Sequence, residues 1–165
     1  ADNLGKDLPR IPCVTSAEAF WAFGRAGRRL ADLHLNFEAA PMYEGANVMS
    51  AKPLTDAHYR VEKMRHGKNG KEKDLTTVIY NEHITVAGIP LDAYDFVLSG
   101  KPAIEWVMER QSVRTDKDSG IVNDANDWAV ETMGNPRYPL ELLLRVVTVS
   151  LETIKIVNTL PALDI

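Results

Sequence analysis

Apolar and small residues recur at helical spacing early in the chain: Phe20, Phe23, Ala26, Gly27, Leu30, Leu33 and Phe37. This period predicts an amphipathic helix from about Ser16 to Phe37, opened by Thr15 and Glu18 at capping-box spacing. Before it, residues 1–14 carry Pro9 and Pro12 and read as an extended lead-in. After it, residues 38–58 carry Pro41, Gly45 and Pro53 without a sustained period and read as a long connection. Two β-prone runs follow, Tyr59–Arg65 and Leu75–Tyr80, flanking a turn that holds Gly67, Asn69 and Gly70. Ile84–Val86 supplies a third short strand, and three strands backed by a helix are stable where a lone hairpin is not.

The second half reads as mostly helical. Pro90 and Gly100 frame a short helix, Leu91–Leu98, and Pro102 opens another in which Ile104, Val107 and Met108 share a face. Asn123, Asp124, Asn126 and Asp127 read as capping and turn chemistry, and EF-hand spacing is absent. The tail, Tyr138–Leu160, contains Leu140, Leu143, Leu144, Val147, Leu151 and Ile154 as a helical seam. Leu142, Val146, Val149 and Ile156 broaden that seam until most of the predicted helix is apolar. The expected class is α+β: a helix-rich domain with a small antiparallel sheet and a long apolar C-terminal helix.

Length and composition narrow the setting. At 165 residues, 45% hydrophobic and 25% charged, the chain reads as one ordinary globular domain, residues 1–165. No apolar run reaches membrane-spanning length and no signal-peptide pattern opens the chain, so no membrane partner is expected. A single Cys13 leaves no internal disulfide, and a reducing cytoplasmic location is the default. Beginning at Ala1 without an initiator Met, the chain fits a fragment of a longer polypeptide.

Charge changes the picture locally. The net charge is −4, so any contact with nucleic acid has to be a patch rather than the whole surface. The densest basic stretch is the hairpin, with Arg60, Lys63, Arg65, Lys68, Lys71 and Lys73 against three acids. By itself such a run fits a solvated surface or a grip on phosphate. Arg25, Arg28 and Arg29 pose the same alternatives on the first helix. Arg110, Gln111 and Arg114 form a second cluster of the side-chain types that read base edges. Trp106 reads as a core or interdomain anchor.

Catalytic chemistry is not announced. Cys13 carries no cue of activation, and His34, His58, His66 and His83 form no metal spacing. HGKNGK at His66–Lys71 lacks the strand and helix context of a phosphate loop. NPRY at Asn135–Tyr138 approaches the [DN]PPY motif of adenine methyltransferases, but Arg137 breaks it and no glycine-rich cofactor motif precedes it. No catalytic residue, metal site or cofactor site is expected in this chain.

Several runs together carry a resemblance: FWAFGRAGRRLADLHLNFE, YRVEKMRHGKNGKEKDLTTVIYN, Ser99–Ala129 and Asn135–Val157. Over about residues 8–165 the chain resembles the C-terminal target recognition region of Type ISP, or Type III-like, single-polypeptide restriction–modification enzymes. Such proteins join a nuclease, a helicase motor and an adenine methyltransferase to that region. The resemblance implies a non-catalytic module that binds a short double-stranded DNA target and positions the methyltransferase and nuclease. It implies helicase and methyltransferase domains as partners on the same polypeptide, and S-adenosylmethionine, ATP and magnesium as cofactors of those domains. In that role Arg60, Lys63 and Arg65 are candidates on the hairpin strands, and Lys68, Lys71 and Lys73 are backbone grips in the turn. Arg110, Gln111 and Arg114 complete the set. The competing reading is a structural coupler, in which the C-terminal helix and Trp106 dock onto the methyltransferase with little DNA affinity.

Overall fold

The computed structural model describes residues 14–162; the expected lead-in and Cys13 lie outside the described residues, Val14 excepted. Helix α1 spans Ala17–Leu35 and is capped by Ser16, whose side chain accepts from Ala19 N at 3.1 Å. The cap therefore falls one residue after the expected Thr15. Only Ala26 of α1 is fully buried, on the side that meets the C-terminal helix.

The region read as a long connection holds three short elements. Two single 3-10 turns, Phe37–Ala39 and Asp56–Tyr59, bracket strand β1, Asn47–Ser50. All four β1 residues are exposed, so no apolar alternation marks the strand in the sequence. Strands β2 (Arg65–Asn69), β3 (Glu72–Ile79) and β4 (Ile84–Ala87) complete an antiparallel sheet of order β1-β4-β3-β2. The expected third strand is thus β4, one residue longer than read.

The hairpin is displaced from its expected place. Its first strand begins at Arg65, where the predicted run Tyr59–Arg65 ends, and the turn contracts to Gly70 and Lys71. Residues 59–64 are nonetheless anchored: Tyr59, Val61 and Met64 enter the core. Side chains satisfy most of the backbone bonds seen there, and Val113 N donates to Glu62 O at 3.0 Å. Tyr80 Oη donates to Tyr59 O at 2.6 Å, and Asn81 Nδ2 donates to His58 O and Arg60 O at 2.8 Å. Buried peptide groups need partners, and these bonds supply several of them without a continuous ladder. The β2–β3 register breaks between His66 and Gly67, which pair with Val78 and Asp74. Any Cβ at Gly67 would fall 2.9 Å from Thr77 Cβ, which explains glycine at the bend.

The predicted helix Leu91–Leu98 does not form. Leu91–Tyr94 makes one 3-10 turn, and Val97–Leu98 (β5) then pairs with Lys101–Pro102 (β6). Ser99 and Gly100 both take positive φ, 51° and 81°, which closes the tight turn and prevents helix continuation. Helix α2, Ala103–Arg110, starts after Pro102 as read. A second hairpin, β7 (Val113–Thr115) with β8 (Val122–Asp124), leads into α3, Ala125–Glu131. Asp124 caps α3 by accepting from Asn126 N at 2.8 Å.

Helix α4, Tyr138–Asn158, is the element on which α1, α2 and α3 rest. Leu140, Leu143 and Val147 are among its buried residues and share a core with Val78, Val86 and Ile104 from the sheet and α2. The expectation of a long apolar helix is corrected: Glu141, Arg145, Glu152 and Lys155 interrupt it with charge. No helix among the described residues is long and apolar enough to cross a membrane. Among the described residues the architecture is α+β, with four α-helices and small antiparallel sheets.

Candidate nucleic-acid interface

The hairpin β2–β3 and the end of α2 stand on opposite sides of an open groove of about 750 Å³. Lys63, Arg65, Lys68 and Lys73 line the hairpin side, and Lys101 and Arg114 line the other. Three acids, Glu62, Glu105 and Glu109, share the groove, leaving a local surplus of positive charge on a chain of net charge −4.

Each acid is already engaged. Glu109 accepts from Lys101 Nζ and, at 3.0 Å, from Arg114 Nη1. Those bonds, Lys101 first, hold the Glu109 carboxyl below its ordinary range. Glu62 accepts from Arg60 Nε at 2.8 Å, and Glu105 lies 3.2 Å from His66 Nε2. Lys63, Arg65, Lys68 and Lys73 have no carboxylate partner among the described residues. Lys68 and Lys73 are also direct partners in the β2–β3 register. Like charges placed opposite each other oppose folding, and an anion between them would relieve the repulsion.

The nine predicted residues do not form one site. Lys63, Arg65, Lys68, Lys73 and Arg114 share the groove, bringing members of both sequence clusters together. Lys71 sits at the hairpin tip, exposed and outside the groove lining. Arg110 and Gln111 line a separate, smaller depression beside it. Arg60 lies outside the hairpin strands altogether. Its guanidinium donates to Asp124 Oδ2 at 2.6 Å and to Glu62, with Asp127 3.9 Å away. Burial pushes Asp124 upward, but the Arg60 and Asn126 hydrogen bonds outweigh it and hold the carboxyl below its ordinary value. Arg60 therefore works as a tie between the segment before β2 and the start of α3.

Residues 1–142 match the family model of the Type ISP C-terminal specificity domain. The chain belongs to that family. No curated protein sequence matches it. Solved structures place the specificity domain further. A nuclease-deletion mutant of the Type ISP restriction-modification enzyme LlaGI, in complex with a DNA substrate mimic, is 44% identical with a TM-score of 0.83. That likeness covers 100% of this chain and 14% of the LlaGI chain. The ATP-dependent Type ISP restriction-modification enzyme LlaBIII bound to DNA is 43% identical, TM-score 0.82, over 99% of this chain and 10% of its own. A DrdV–DNA complex is 30% identical, TM-score 0.74, over 97% of this chain and 16% of its own. The chain thus spans only a small part of the enzymes it resembles.

Within this specificity domain, sequence reasoning missed Lys101 and the role of Trp106. Trp106 is half-buried, donates from Nε1 to Leu98 O at 2.8 Å, and carries Lys101 Nζ 4.4 Å from its ring centroid. Arg110 approaches the same ring at 5.5 Å. The indole thus organises two cations at the groove edge. KP before a helix start was the visible signal; that the lysine faces the hairpin depends on tertiary packing. Arg25, Arg28 and Arg29 lie on the exposed side of α1, away from the groove lining.

Proposed function

We propose that this specificity domain binds a short duplex DNA target and thereby positions an adenine methyltransferase and a nuclease of the same polypeptide. The observation that carries the reading is the unpaired row Lys63, Arg65, Lys68 and Lys73 along one wall of the groove. Family membership and the three DNA-bound relatives support it. In mechanism, Lys68 and Lys73 grip phosphates across the groove, Lys71 adds a contact from the hairpin tip, and Lys63 and Arg65 extend the row. Arg114, steadied by Glu109, approaches from the far wall. S-adenosylmethionine, ATP and magnesium belong, on this reading, to the catalytic parts of the polypeptide.

Anisotropy titration of the full-length protein against labelled duplex at two salt concentrations tests the reading. Replacing Lys63, Lys68 and Lys73 together by Ala should weaken every duplex alike and flatten the log–log salt slope by about 0.9 per lost phosphate contact. An unchanged slope would overturn the groove as the DNA-facing surface.

A second reading, docking onto the rest of the polypeptide, is favoured by another surface than the one first considered. The apolar seam of α4 is largely buried within this chain, whereas Phe20 and Trp21 of α1 stand 58% and 59% exposed. Docking through α1 is compatible with DNA in the groove.

A further inference from the structure

We infer that Gln111 and Asn123 form an adenine-reading edge beside the basic groove, a step that rests on the DNA-binding reading above. Both line a depression of about 250 Å³, with Arg110, Asp124 and Trp128. Ser112 lines the depression and the groove alike, so the two are contiguous along the surface.

Neighbouring amides and acids have structural duties that Asn123 lacks. Asp124 caps α3 and accepts from Arg60, and Asn126 bonds both backbone groups of Val61. The Asn123 side chain is exposed and makes no hydrogen bond to the described residues. Its backbone is nonetheless fixed, because Asn123 is the register partner of Arg114 on the β7–β8 hairpin. Cross-strand partners share a face, so Asn123 is presented beside a groove-lining arginine.

Gln111 is unusual for a different reason: its carboxamide oxygen is buried without a hydrogen-bond partner among the described residues. A buried acceptor with no donor weakens folding, and turning this carboxamide outward to meet a base breaks no hydrogen bond among the described residues. Adenine in the major groove offers an N6 amino donor beside an N7 acceptor, the complement of one carboxamide. The depression also suits a neutral base edge better than a phosphate. Its one cation, Arg110, already leans on Trp106, and its one carboxylate, Asp124, is held by Arg60. Trp128, 44% exposed and edge-on to Tyr138 at 5.2 Å, forms an apolar outer wall.

Selection from a randomised duplex library by the full-length protein, followed by sequencing of the bound fraction, tests this edge. Wild type is compared with Asn123→Ala, with Gln111→Met, which keeps the side-chain volume, and with Asn123→Asp. Wild type should select a short motif containing adenine. Asn123→Ala and Gln111→Met should each relax preference at an adenine position by about 10- to 100-fold while the other positions hold. Asn123→Asp should shift its position toward cytosine, whose N4 amino group donates to a carboxylate. Variants that melt like wild type yet select its motif unchanged, or that weaken all sequences equally, would overturn the inference alone. A wild-type protein that selects no motif would instead overturn the DNA-recognition reading beneath it.

Discussion

Asn126 and Val61 face each other through two hydrogen bonds: Val61 N donates to Asn126 Oδ1 at 2.8 Å, and Asn126 Nδ2 donates to Val61 O at 2.9 Å. One carboxamide thereby does for Val61 what a neighbouring strand would do, and Val61 can be fully buried outside any sheet. Removing it leaves a buried N–H and a buried carbonyl unpaired, each costing about 1–3 kcal/mol. Asn126→Ala should therefore destabilise the domain by about 3 kcal/mol, read as a fall in the urea midpoint at constant slope. An unmoved midpoint would mean that water replaces the amide without cost.

The neighbouring Asp124 predicts a pH dependence. Its carboxyl titrates below the ordinary value in the folded protein, so folding favours the ionised form. The sign follows: this stabilisation is present above the unfolded value of about 3.9 and is lost as pH falls through the folded one. Asp124→Asn should be less stable than wild type at neutral pH, with the gap shrinking below about pH 4. Melting temperature measured from pH 2 to 7 for both proteins gives the comparison. A gap that stays constant into acid would exclude the ionised Arg60–Asp124 pair as its cause.

That pair also shows where sequence reasoning stops. Period and punctuation located α1, α2, α4, β4 and the existence of a basic hairpin; α2, α4 and β4 each bury an apolar face at their own spacing, whereas α1 buries little beyond Ala26. The start of β2 was misread because residues 59–65 are β-prone, while the backbone of residues 58–61 bonds to the side chains of Tyr80, Asn81 and Asn126. Nothing local announces partners 20 or more residues away. Strand β1 left no trace since none of its residues is buried. For the site, charge density found the hairpin-side lysines of the groove but not Lys101, and residue type alone could not separate Arg60, held by Asp124, from Lys68, which faces the groove.

Arg60 and Lys68 should accordingly behave in opposite ways. Arg60→Ala removes the tie to Asp124 and should lower stability by about 1–2 kcal/mol while leaving the salt slope of DNA binding unchanged. Lys68→Ala relieves repulsion from Lys73, should leave stability equal or slightly higher, and should reduce the salt slope by about one. Melting curves paired with two-salt titrations separate them. The reverse assignment, with Arg60 controlling the slope, would make Arg60 a DNA contact despite its ion pairs.

Ser150 offers a prediction in the core itself. It lies in α4 with no exposed surface, and its hydroxyl finds no hydrogen-bond partner among the described residues. Burying a hydroxyl without a partner costs free energy that a methyl group of nearly equal size does not incur. Ala also has the higher helix propensity, so both terms act in one direction. Ser150→Ala should stabilise the domain by about 1 kcal/mol, with the urea midpoint rising at unchanged slope. Destabilisation by a similar amount would reveal that the hydroxyl bonds a carbonyl of its own helix, and that this bond outweighs the cost of burial.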